Sequence, residues 1–205
     1  MSQLVRPRIP CRVKLSFCRC LFASAFVVCT AGLEATLAAV PPLVLSAQIP
    51  IEKMPYSVSN LRRQYQQAAT SKEAGEKFYQ LMSAYQQQDA VVLAYKAAAE
   101  AIRARDASMF NKLTYVQNAT KQFDQAVKLD SDNAEIRFLR LSVESNLPSF
   151  LGLSQHVDED RQFLVNTLLQ HPKSGLDAES FVLVRNFMVD RGHVSEADAQ
   201  KLTQL

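Results

Sequence analysis

The stretch KEAGEKFYQLMSAYQQQDAVVLAYKAAAEAIRARD, residues 72–106, decides the fold class of this chain. Its second half is rich in alanine, the residue with the highest intrinsic helix propensity. The surrounding residues 57–147 contain no proline and a single glycine, Gly75. An all-β protein needs turn residues far more often than this. The sequence therefore predicts an all-α fold. The first half of residues 72–106 shows the helical spacing i, i+3, i+4 and i+7 in its apolar residues, which are Phe78, Leu81, Met82 and Tyr85.

Helix-capping residues divide the rest of residues 57–205 into helices. The second helix is expected to begin near Thr70-Ser71, because Glu73 follows Thr70 at the spacing of a capping box. The interpretation is about eight helices joined by short loops, which favours antiparallel hairpins in a single domain, 57–205. Further N-caps are expected at Asp89, at Asp106 or Ser108, and at Asp132, Asp177 and Ser195. The helix after Ser108 carries the predicted core stripe Phe110, Leu113, Val116, Ala119, Phe123 and Val127.

Residues 1–47 belong to a different physical class. Residues 1–20 contain five basic residues and no acid, and residues 21–33, LFASAFVVCTAGL, carry no charge. A basic start followed by about 7–15 apolar residues is typical of a secretory signal peptide. The sequence predicts export to the periplasm, the cell envelope or the medium, with cleavage between residues 31 and 47 and an extended linker at 48–56. The alternative is an uncleaved segment that anchors the protein to a membrane.

The charge and the cysteines of the chain both depend on this leader. The whole chain has 23 basic and 20 acidic residues, but residues 1–47 hold five of the basic and one of the acidic residues. The remaining 158 residues carry 18 and 19, a net charge of −1. Binding to nucleic acid therefore has no electrostatic basis. All four cysteines lie in the leader, so the domain is expected to be stabilised by its hydrophobic core without disulfides.

No motif in residues 48–205 indicates catalysis, a cofactor or a metal. The three histidines, His156, His171 and His193, lack a second ligand at metal-binding spacing. The acidic run Asp158-Glu159-Asp160 opens a predicted helix, where negative charge is favourable. We therefore expect a non-enzymatic protein with neither cofactor nor metal.

Two resemblances concern the helical hairpins. The segment ATKQFDQAVKLDSDNAEIRFLRL, 119–141, resembles one tetratricopeptide repeat unit, with Ala119, Phe123 and Ala126 at its small, large and small positions. Ser131 stands where that repeat usually has proline. The order of the leader, KFYQLM, LAYKAAAEAI and NAEIRFLRLSVESNLPSFLG resembles short exported uncharacterised helical proteins of Bacteroidetes type. This second resemblance implies an envelope or secreted setting and no particular activity.

The segment 136–153 carries the candidate interaction patch. It comprises Arg137, Arg140, Glu144, Phe150 and Leu151. One interpretation is that the charged residues, including an Arg140–Glu144 pair at i, i+4, hold the apolar loop 146–154 against the bundle. The other interpretation is that Phe150 and Leu151 are exposed and form an apolar contact patch flanked by arginines.

The sequence thus predicts a protein-interaction or scaffold domain of the bacterial envelope whose partner is another protein. Membrane contact is expected only through an uncleaved leader. Two alternatives stay open at this point. One is an exported enzyme or small-ligand-binding protein whose site is assembled from residues far apart in sequence, and the other is a membrane-anchored structural protein.

Overall fold

A computed structural model of the chain describes residues 54–205, and these residues contain eight α-helices and no strand. None of these helices is both long enough and apolar enough to cross a membrane. The eight helices confirm the predicted all-α fold of about eight helices. The helices are α1 Val58–Thr70, α2 Lys72–Ser83, α3 Ala90–Asp106, α4 Met109–Leu129, α5 Ala134–Glu144, α6 Val157–Leu168, α7 Ala178–Asp190 and α8 Glu196–Thr203, with a 3-10 turn at Ser149–Leu151.

Side-chain caps begin three of the eight helices of the described residues at residues that the sequence predicted. Asp89, Asp177 and Ser195 each accept a hydrogen bond from the backbone N–H three residues later. The predicted start of α2 near Thr70-Ser71 is confirmed, and the side chain of Ser71 is its cap. One predicted cap was displaced by one residue, because Asn133 and not Asp132 caps α5.

The predicted cap at Asp132 was wrong because two polar residues compete for the same helix start. The side chain of Asn133 accepts from the N–H groups of Glu135 and Ile136, at 3.1 and 3.3 Å. Asp132 instead accepts a hydrogen bond from the hydroxyl of Ser131 at 3.3 Å. Acidic side chains therefore remain at the surface beside the start of α5.

Helices α1 and α5 run in the same direction, and the starts of α3 and α7 lie beside theirs. Arg62 near the start of α1 contacts Glu135 near the start of α5, and the Tyr65 hydroxyl lies 3.0 Å from that of Ser142 further along both helices. The starts of α1, α3, α5 and α7 therefore lie at one end of the bundle, which we call the cleft end. The start of α4 and the end of α5 lie at the other end, which we call the tip end.

The core is formed by large residues packed against the small residues of α3. Phe78, Tyr95 and Phe123 come from three different helices and are at most 1% exposed. Close approach of α2 to α3 depends on Gly75, because a Cβ built there would lie 2.9 Å from Cγ2 of Ile102. The buried small residues of α3 are Ala94, Ala97, Ala98, Ala99 and Ala104.

The predicted core stripe of α4 was correct only in its later part. Val116, Ala119 and Phe123 are buried, whereas Phe110 and Leu113 are 93% and 45% exposed. The reason is the unequal length of neighbouring helices. At about 1.5 Å per residue, the 21 residues of α4 span roughly twice the length of the 11 residues of α5. The first turns of α4 therefore extend past the end of α5.

The predicted leader 1–47 and most of the predicted linker 48–56 lie outside the described residues. The final linker residues, 54–56, form a turn and are not extended. The backbone N–H of Ser57 donates to the carbonyl of Met54 at 3.1 Å, and the Tyr56 ring packs on Tyr85 with centroids 4.9 Å apart. Residues 54–205 belong to one compact unit.

Candidate functional site

The two arginines of the predicted interaction patch are buried inside the bundle. Arg137 and Arg140 are 8% and 2% exposed, and both donate to Asp160, which is 0% exposed. Nε and Nη2 of Arg140 lie 2.7 and 2.8 Å from the two Asp160 oxygens, and Nη1 of Arg137 lies 2.9 Å away. These arginines join α5 to α6 and do not flank an exposed patch.

Glu144 is also buried, and it does not form the predicted pair with Arg140. Its carboxylate accepts from the backbone N–H of His156 at 2.9 Å and lies 3.0 Å from the ring Nδ1 of the same residue. Its backbone carbonyl accepts from the Ser154 hydroxyl at 2.8 Å. Glu144 therefore fixes the end of the loop to the start of α6, which agrees with the interpretation that the charges hold this loop.

The apolar part of the predicted patch is divided between surface and interior. Phe150 is 86% exposed, while Leu151 is half-buried. Both lie in the 3-10 turn that follows α5, at the tip end of the bundle. Of the five residues in the predicted patch, Phe150 is the one that the structure leaves on the surface.

A second exposed apolar group stands on the first two turns of α4 and was not predicted. Met109 is 81% exposed, and Phe110 and Leu113 beside it are also exposed. We call these three residues the apolar tip. The basic residues Lys112 and Lys121 are also exposed on this helix, and no acidic residue occurs between Met109 and Phe123. Lys112 is therefore the charged residue within the turns that carry the apolar tip.

A polar site occupies the cleft end of the bundle, centred on the buried guanidinium of Arg62. This side chain is 3% exposed, and its Nε and Nη2 both donate to Glu135. The two contacts of Nη2 with the Glu135 oxygens are 3.2 and 3.0 Å long. Nη2 also lies 3.2 Å from Asp177 and Nη1 lies 3.5 Å from Glu179. The hydroxyl of Tyr95 donates to Glu135 as well. Four helices are joined by this network.

An open cavity of about 450 Å³ lies over this network, and we call it the acidic cleft. Its polar lining comes from the turn between α4 and α5 and from the segment that begins α7. Arg62 and Glu135 line its inner part. Its lining includes Asp130, Asp132, Asn133, Ser174, Asp177 and Ser180.

Burial and charge shift the pKa values of the groups in this site. Burial alone would lower the pKa of Arg62, but the hydrogen bonds and charge of Glu135 outweigh it and raise that pKa. Burial and the adjacent carboxylate of Glu135 raise the pKa of the Tyr95 hydroxyl. Burial would raise the pKa of Asp177, but the Ser180 N–H and the charge of Arg62 lower it. At neutral pH, Arg62 and Asp177 are therefore charged and Tyr95 is neutral.

One signal for the buried ion pairs was present in the sequence. Asp160 precedes Leu164 and Leu168 at intervals of four residues, and all three are buried on the same face of α6. The acidic run does open α6, as expected, and Asp158 in it is 89% exposed. No comparable signal marked the Arg62 network, since its partner Glu135 is 73 residues away.

Among residues 54–205, no cluster of His, Cys, Asp or Glu has the arrangement of a metal site.

Comparisons with known proteins leave these sites to be interpreted from the structure. No protein-family model matches the chain, and no curated protein or solved structure matches it significantly. The predicted resemblances to a tetratricopeptide unit and to exported proteins of Bacteroidetes type stay predictions.

Proposed function

We propose that the domain is a non-enzymatic protein-interaction or scaffold module of an exported envelope protein. The observation that supports this most directly is the apolar tip. Large apolar side chains grouped on a surface mark contact sites more often than isolated ones do. Burying Phe110 in a partner removes almost its whole ring from water, because that ring is 93% exposed in the isolated domain.

The partner that fits this surface is an acidic amphipathic helix of another protein. α5 is about ten residues shorter than α4, so roughly 15 Å of α4 at its start extends beyond α5 and leaves the face that carries the apolar tip uncovered. A helix of that length with an apolar face can pack there. Lys112 lies between Phe110 and Leu113, so acidic residues on the partner's flank are favoured. Phe150 lies at the same end of the bundle.

In-cell crosslinking of the tagged full-length protein, followed by mass spectrometry, tests this proposal. The double variant Phe110→Ser with Leu113→Ser should lose a stoichiometric crosslinked partner and retain the melting temperature of the parent. The matched control is Leu129→Ser with Val182→Ser, since those residues are 53% and 44% exposed elsewhere. Equal partner recovery from both double variants would refute the role of the apolar tip.

Two further results of the same experiment bear on the proposal. Phe150→Ala should weaken capture at unchanged stability if the 3-10 turn contributes to the contact, whereas a large fall in melting temperature would show that Phe150 packs in the folded protein. The mass of the purified bait reports on export. Loss of residues up to a site between 31 and 47 supports a cleaved signal peptide, and an intact mass supports the anchored alternative.

A further inference from the structure

Met109 differs from the other methionines of the described residues in its exposure. It is 81% exposed, whereas Met54 is 49% exposed and Met82 and Met188 are buried. Residues 48–205 contain no cysteine, so thioethers are the sulfur groups of this domain that an oxidant meets. A peroxide must reach the sulfur to oxidise it, and reactivity therefore increases with exposure. Within the described residues, Met109 is the methionine that a peroxide reaches most readily.

Met109 is also one of the three residues of the apolar tip, and it opens α4. Its side chain and that of Leu113 are four residues apart, so they lie on the same face of the helix. Phe110 precedes Leu113 by three residues and is the neighbour of both. A partner that covers this face therefore covers the thioether of Met109.

Oxidation changes the polarity of this face without adding charge. The sulfur lone pair attacks hydrogen peroxide, the O–O bond breaks and an S–O bond forms. The departing hydroxide takes the proton of the transferred oxygen and leaves as water, so the sulfur loses two electrons and the peroxide gains them. The product is a sulfoxide, a polar hydrogen-bond acceptor in place of an apolar group. A polar group that is buried without a donor destabilises a contact.

The start of α4 accommodates a sulfoxide while the apolar tip faces water. The side chain of Ser108 does not cap the helix, and no group within the described residues accepts from the backbone N–H of Met109 or Phe110. The N–H groups at the start of a helix carry partial positive charge and favour acceptors nearby. Oxidised Met109 is therefore compatible with the folded domain but not with an apolar contact.

We propose that Met109 is an oxidation site that controls binding at the apolar tip. In its thioether form, Met109 packs with Phe110 and Leu113 against the apolar face of the partner. In its sulfoxide form, it places a polar oxygen in that contact, and the partner is released. The regulation rests on the proposed function of the apolar tip, because a tip without a partner has nothing to release.

Peptide mapping of the full-length protein tests the selectivity of the oxidation independently of any partner. The folded protein is treated with hydrogen peroxide for increasing times, quenched with free methionine and cleaved with trypsin. The peptide with Met109 should gain one oxygen much faster than those with Met82 and Met188, and the rates should converge in urea. Equal rates in the folded protein overturn the assigned site. Trypsin places the four methionines in separate peptides, 54–62, 78–96, 106–112 and 186–191.

In-cell crosslinking with and without peroxide tests the effect on the partner. In the parent, peroxide should lower the yield of the crosslinked partner by roughly tenfold, as expected when an apolar contact acquires an unpaired polar group. The matched control Met109→Leu keeps an apolar side chain that has no sulfur, so its yield should not change. Met109→Gln is polar at the same position and should give a low yield without peroxide. The same fractional loss in the parent and in Met109→Leu overturns the regulation.

Two outcomes separate this regulation from the proposed function. An unchanged yield from a parent whose Met109 peptide is oxidised, together with loss of the partner in Phe110→Ser with Leu113→Ser, refutes the regulation alone. Retention of the partner in that double variant refutes the proposed function. The melting temperature of the parent should not change on oxidation, because Met109 is 81% exposed. A fall that peroxide-treated Met109→Leu does not show would assign Met109 to the stability of the fold and overturn the regulation.

Discussion

Removal of the Asp160 carboxylate should destabilise the domain more than any exposed charge change in the same helix. Asp160 is 0% exposed and accepts three hydrogen bonds at 2.7–2.9 Å from Arg137 and Arg140. Asp160→Ala leaves both guanidinium groups buried with their main acceptor missing. Breaking a buried ion pair by removing one partner costs about 3–5 kcal/mol.

The structure indicates the lower part of that range. After the substitution, Arg137 still reaches Glu159, and Nη1 of Arg140 lies 3.7 Å from Asp124. Both of these remaining carboxylates are more than half exposed, so they compensate only in part. We expect a loss of about 3 kcal/mol. For a domain of this size, that corresponds to a fall of roughly 6–12 °C in melting temperature.

Urea denaturation followed by circular dichroism at 222 nm measures this loss. The matched control is Asp158→Ala, two residues away in the same first turn of α6. Asp158 is 89% exposed and pairs only with Arg161 at 2.9 Å, so its removal should cost at most about 1 kcal/mol. If Asp160→Ala and Asp158→Ala lose the same stability at an unchanged m-value, the argument for a buried ionic network is refuted.

Three other predictions follow from burial and close contacts. Gly75→Ala should destabilise the protein by about 1–3 kcal/mol in urea titrations because its new methyl group meets Ile102 at 2.9 Å, and stabilisation instead would show that α2 can move away. Phe123→Ala should cost about 3–5 kcal/mol, whereas Phe110→Ala should change stability by less than about 0.5 kcal/mol; similar losses from the two would contradict the assigned faces of α4. Burial, with two nearby arginines, lowers the pKa of His193, so the unfolded chain binds its proton first as the pH falls below about 6.5. The melting temperature should therefore fall from pH 7 to pH 5 less steeply in His193→Gln than in the parent, and parallel curves would exclude this contribution.

Much of the secondary structure was predictable because its causes are local. The alanine-rich run of α3 and the caps at Asp89, Asp177 and Ser195 depend on residues within one turn of helix. The displaced cap has the same local origin. At the start of α5, Asn133 and Asp132 compete for the same N–H groups, and spacing alone does not decide between neighbours.

The sites were less predictable because burial is decided by the partner element. The sequence selected Arg137, Arg140 and Glu144 as notable charges but assigned two of them to each other. Their actual partners, Asp160 and His156, are brought to them by the turn between α5 and α6.

By itself, the sequence determined an all-α chain, its approximate helix boundaries and the near-neutral charge of residues 48–205. Only the tertiary structure decided which polar and apolar groups face water. The apolar tip is exposed because α5 stops short of the first turns of α4, a difference in length that periodicity within α4 does not contain. The acidic cleft exists because Arg62 and Glu135, 73 residues apart, meet at one end of the bundle. Hydrophobic periodicity indicates which face of a single helix is buried, whereas a site depends on the relative positions of several helices.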